Sequence, residues 1–185
     1  MEIIMKKLLS FLLIVICILT FFTSCGYSNY IEGIENFSTL DSDVSLCGEL
    51  IPTDFIEKFE YTDGNYHFST SEKYPLMYAC DRAIIYFQYD PENYPEAKEY
   101  ALVELKVGEN EFAEHNGYHF HMNESKFDAT RFPHMFNCVA YNDANCTLVF
   151  IGFGVSVELH EEADIAITDW GAFLEKYFGE FYSFE

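Results

Sequence analysis

The chain has 185 residues, with 10 Lys+Arg against 31 Asp+Glu and a formal net charge of −21. A surface of that sign repels nucleic-acid phosphates and anionic lipid headgroups, which excludes binding that depends on a basic footprint. Nineteen Phe, 14 Tyr and one Trp supply ample core for a single domain, but little of the Trp stacking typical of sugar sites.

Lys6-Lys7 lead into an apolar run, Leu8–Phe22, broken only by Ser10 and Thr20. A bilayer-spanning helix takes about 20 apolar residues, so this shorter run reads as the core of an export signal. Met5-Lys6-Lys7-Leu8 is itself a natural start. The small residues after the run end in a cysteine. Phe22-Thr23-Ser24-Cys25 resembles the lipobox of bacterial lipoproteins, departing from it at Phe22, where an aliphatic residue is commoner. The resemblance covers residues 5–26. It implies a diacylglycerol on the Cys25 thiol, cleavage between Ser24 and Cys25, and palmitate-type acyl chains anchoring the protein to the outer face of the cell membrane. Two acyl chains hold a protein stably where one binds only marginally.

The expected division is a signal peptide at 1–24, a lipidated N-terminus and tether at 25–45, and one α+β domain at 46–185. Without Glu2, Lys6 and Lys7 the mature part keeps 8 basic against 30 acidic side chains, a charge near −22. Its tether is polar, though Ile31, Ile34, Phe37 and Leu40 recur at a spacing that would let a helical turn dock on the domain.

Pro52-Thr53-Asp54 opens a short helix over Phe55–Lys58. Asp63-Gly64 between aromatic runs reads as a hairpin turn. Arg82–Tyr89 is β-rich and reads as a central strand. Asp90-Pro91 then starts a helix to about Lys106, with Tyr94, Ala97, Ala101 and Leu105 on one face and Gly108 as its stop. Tyr118–Met122 alternates as a short strand. Phe136–Tyr141 and Cys146–Val157 form a hairpin that is apolar on both faces, hence covered on both sides. A two-residue turn at Asp143-Ala144 would set Cys138 opposite Val149. Cys138 would then share a face with Phe136 and Ala140, and Cys146 the other face with Val139, Leu148 and Phe150. Thr168 caps a last helix whose stripe is Trp170, Phe173, Leu174, Tyr177 and Phe178, ending at Gly179. The order implies an α+β fold: a mostly antiparallel sheet of five to six strands with two or three helices packed on it.

Cys47, Cys80, Cys138 and Cys146 allow two disulfides in three connectivities, or buried thiols. His119 and His121, two apart on a strand, share a face and are the candidate metal ligands, with His115 nearby; a polar strand face explains the same alternation. Cys80 and Cys138 have apolar neighbours and read as core rather than nucleophiles. Asp41-Ser42-Asp43 and Glu161-Glu162-Ala163-Asp164 lack the spacing of a calcium loop. The chain carries no phosphate loop, nucleophile elbow or zinc-protease motif. The expectation is a membrane-anchored lipoprotein with a binding domain for an extracytoplasmic protein or envelope ligand, without cofactor. The alternatives are a hydrolase-type enzyme of the envelope and an immunity-type lipoprotein that binds a basic partner.

Overall fold

The computed structural model describes residues 26–39, 50–52, 54–73, 78–107, 112–122, 135–155 and 169–179. Cys25, the apolar run before it, Cys47 and both candidate calcium segments lie outside the described residues. No helix among the described residues is long and apolar enough to cross a membrane.

The fold is α+β. One antiparallel sheet holds seven strands, one more than the expected upper count: β1 (Gly26–Glu32), β2 (Asp63–Lys73), β3 (Tyr78–Gln88), β4 (Ala113–His115), β5 (Tyr118–Met122), β6 (Met135–Asn142) and β7 (Thr147–Val155). Their order across the sheet is β1-β2-β3-β7-β6-β5-β4. Among the described residues, three helices pack on it: α1 (Phe55–Lys58), α2 (Tyr94–Glu104) and α3 (Trp170–Phe178). A 3-10 helix spans Ile34–Thr39.

Alternating side chains divide the sheet into two apolar faces. The first face gathers Tyr66, Phe68, Ile85, Phe87, Val139, Leu148 and Phe150 under α1, α2 and the 3-10 helix. The second gathers Ile84, Tyr118, Phe120, Phe136, Cys138, Val149, Ile151 and Phe153 under α3. Strand β7 serves both, and all nine of its residues are buried.

Both long helices present the stripes expected of them. In α2, Tyr94, Ala97 and Ala101 are buried, as is Leu105 just beyond it. The helix starts at Tyr94 rather than Pro91, because Pro91–Asn93 form a turn whose Asn93 and Tyr94 amides donate to the Asp90 carbonyl. It ends earlier than Gly108: Lys106 takes the left-handed conformation (φ 49°) and the Val107 amide donates to Leu102 O. In α3 the cap is Asp169, one residue past Thr168, its carboxylate accepting from the Ala172 amide at 2.9 Å. Arg82 holds the other end: Nη1 donates to Tyr177 O at 3.1 Å and Nε to Ser69 Oγ at 3.0 Å. A cation there favours the negative end of the helix dipole.

Three expectations need correction. Asp63-Gly64 is no turn but the first rung of β2, opposite Gln88 and Phe87. Close approach favours glycine there, since a Cβ would lie 3.0 Å from the Tyr61 ring and 3.1 Å from Phe87, and both rings would have to give by a few tenths of an ångström. The β6–β7 loop has four residues, not two, with Cys146 left-handed (φ 56°), so Cys138 pairs with Ile151 instead of Val149. The slip is an even number of residues, and every side chain keeps its expected face. Within the expected tether, Gly26–Glu32 is the edge strand, and Ile31, Ile34 and Phe37 pack on the first core. Cys80, Cys138 and Cys146 are not joined in disulfides among the described residues, and the first two are buried.

Phe150 is fully buried, its ring 5.2 Å from Phe55 and 6.2 Å from Phe87. Phe150→Ala should lower unfolding stability by about 3–5 kcal/mol, and Asp169→Ala by about 1 kcal/mol through the lost cap, both read from urea unfolding.

Candidate functional site

The His119/His121 pair lies on the first face, where β5 opposes His119 to Tyr141 and His121 to Val139. Both imidazoles pack on the Tyr141 ring, with centroids 5.3 and 5.4 Å away, His121 nearly parallel to it at 15°. Lys98 of α2 reaches the same ring, its Nζ 4.2 Å from the centroid. Tyr141 is therefore the centre of a cation–aromatic platform joining α2 to β5.

Asp143, in the loop after β6, completes it. Its Oδ1 accepts from Tyr94 Oη at 2.6 Å and from Lys98 Nζ at 2.7 Å. Partial burial pushes the Asp143 carboxyl upward, but the hydrogen bonds from Lys98 and Tyr94 and the charges of Lys98 and His119 outweigh it and hold it below its ordinary value. Burial first, then the Asp143 bond and charge, push the Tyr94 phenol far up, so the shared proton stays on tyrosine. The Asp143 side chain is 59% exposed, so a carboxylate at the surface is fixed in one geometry by two donors.

A second polar cluster occupies the second face at the β1 edge. The Tyr66 amide donates to Asn65 Oδ1 at 2.8 Å, which turns the Asn65 amide nitrogen toward His67 Nε2 at 3.1 Å. His67 Nε2 then accepts, and its Nδ1–H donates to Tyr30 Oη at 3.0 Å. Tyr30 in turn donates to Glu32 Oε2 at 3.0 Å. The chain of donors ends on a carboxylate and ties β1 to β2. Burial lowers the His67 pKa from its ordinary 6.5, opposed by the nearby Glu32 charge.

Among the described residues, no group of three or more His, Cys, Asp or Glu is placed to hold a metal ion. The structure spends His119 and His121 on stacking with Tyr141. His115 lies apart, against Gly171 at the start of α3, where a Cβ would come 3.0 Å from its ring. Burial raises the Cys138 thiol far above its ordinary range, which suits a core residue. The sequence reading missed Tyr94, Lys98, Tyr141 and Asp143 as a group; Lys98 and Asp143 are 45 residues apart. It also missed the β4–β5 turn, although Asn116-Gly117 carries the signature: both residues are left-handed, at φ 51° and 79°.

No protein-family profile, curated protein or solved structure matches this chain.

The His67 shift has a definite sign. Its folded pKa lies below the unfolded 6.5, so the stability it gives is present above that pH and is lost as pH falls through the folded value. NMR titration should place His67 below 6.5, and His67→Gln should flatten the stability profile in that window. Asp143 behaves likewise at lower pH. Its contribution is present above the unfolded carboxylate value and lost as pH falls through the lower folded one. Asp143→Asn should remove that loss, at a cost near neutral pH of about 1 kcal/mol or less for so exposed a pair.

Proposed function

We propose that the chain is a lipid-anchored extracytoplasmic lipoprotein whose domain binds a protein or envelope ligand through the Tyr141 platform. The anchor is supported by the basic flank, the short apolar run and Phe22-Thr23-Ser24-Cys25. The observation that carries the binding role is the fixed geometry of Asp143 between Tyr94 and Lys98 beside the Tyr141 ring. Polar and aromatic groups held in place before contact lose little freedom on binding. The arrangement supplies hydrogen-bond acceptors, a cation and a ring, the mixture common at protein interfaces. The strongly acidic composition favours a ligand with basic groups.

Two measurements test this. Cys25→Ser should abolish lipid labelling and move the protein from the membrane to the soluble fraction; full labelling of that variant overturns the anchor. The purified domain should bind intact cell envelopes saturably, and Lys98→Ala and His119→Ala should each weaken that binding about tenfold without changing the fold. Equal binding by both variants overturns the platform.

A further inference from the structure

We propose that the partner is a protein that docks a lysine ammonium, in preference to an arginine guanidinium, on the outer oxygen of Asp143. This rests on the Tyr141 platform being the ligand surface, and it names the group that surface reads. A carboxylate offers about four lone-pair positions, two on each oxygen. In Asp143 both donors go to the same oxygen: Tyr94 Oη at 2.6 Å and Lys98 Nζ at 2.7 Å reach Oδ1. The two positions on Oδ1 are thereby filled. Among the described residues no donor reaches Oδ2. Tyr94 is buried and the Lys98 side chain is 25% exposed, against 59% for Asp143. The filled oxygen is therefore the inner one, and the open one faces solvent.

A single open oxygen discriminates between the two basic side chains. The arginine fork takes its strength from two parallel N–H···O bonds, one to each carboxylate oxygen. With Oδ1 closed, a guanidinium reaches Asp143 end-on and loses that pairing. A lysine ammonium is a compact point charge and needs only one acceptor. Lys98 does not step aside cheaply, because its Nζ also lies 4.2 Å from the Tyr141 centroid and 5.5 Å from that of Tyr94. The loop leaves room for a slender side chain: Asp143, Ala144 and Asn145 are exposed, and the Ala144 amide donates to Asn142 Oδ1 at 3.0 Å, which fixes the loop's shape. Lys98 repels an arriving cation, but the Tyr89 amide donates to Cys146 O at 3.0 Å, which brings the exposed Asp90 to the same loop. Lysine carries its charge on a flexible four-carbon stem, clear of its own backbone. A surface lysine of a partner protein meets these demands.

The test measures binding of the full chain carrying Cys25→Ser, which has no lipid of its own, to intact cell envelopes. Acetylating the lysines of the envelope proteins should abolish saturable binding. Guanidinating them with O-methylisourea keeps the charge but turns each ammonium into a guanidinium, and should weaken binding about threefold or more. Protease treatment of the envelopes should remove it. Tyr94→Phe reopens Oδ1 and should bring binding of guanidinated envelopes level with that of untreated ones. Lys98→Met opens the same oxygen from the solvent side and should show the same loss of preference, which keeps the test readable if Tyr94→Phe fails to fold. Guanidination without effect on the parent protein, or an unchanged preference in the folded variants, overturns the proposal. Binding that survives protease points to an amine outside protein and overturns it too. No saturable binding to untreated envelopes overturns instead the platform reading on which it stands.

Discussion

Everything in this fold depends on one strand being dry on both sides. Strand β7 gives Leu148 and Phe150 to one core and Val149, Ile151 and Phe153 to the other. Apolar burial stabilises by about 25 cal/mol per Å², so a strand without a solvent face draws cover onto both sides. Helices α1 and α2 provide it on one face and α3 on the other. The two cores are not independent, because each is roofed by helices but floored by the same backbone.

Two polar clusters sit where that demand ends. The Tyr141 platform forms where β6 turns into its loop, and the His67 chain where the sheet runs out at β1. In each, a residue that cannot be dry is given partners. Asp143 has Tyr94 and Lys98; His67 has Asn65 and Tyr30. For His67, which is buried, lacking partners would cost more than the sheet gains locally; for the exposed Asp143 the partners fix its position.

The periodic part of the structure was legible in the sequence. The α3 stripe, the α2 face and the two-sided β6–β7 hairpin rest on local spacing, which the chain states directly. Even the wrong register left Cys138 and Cys146 on the right faces, since a slip of two preserves alternation. What local pattern could not show was which partner a strand chooses. Asp63-Gly64 looks like a turn in isolation, and only the Phe87 and Tyr61 rings explain why glycine stands there. The platform was illegible for the same reason, since Lys98 and Asp143 meet only after α2 has docked. The edge strand β1 was hidden by its polar composition, which an outermost strand tolerates because half its surroundings are water.

The strand order also divides the sheet into two runs of sequence neighbours. Strands β1, β2 and β3 form one meander and β4, β5, β6 and β7 another, with α2 between them in the chain. Only the β3–β7 pairing, from Cys80 opposite Val155 to Gln88 opposite Thr147, sews the two together. Within the meanders, β2–β3, β4–β5 and β6–β7 close over two to four residues, β5–β6 over 12 and β1–β2 over 30, whereas the seam joins strands with 58 residues between them, and long closures are slow. The β3–β7 seam is therefore the longest closure in the sheet. Until it closes, β3 and β7 present two bare apolar edges, so the hazard for a newly made chain is mispairing along that line.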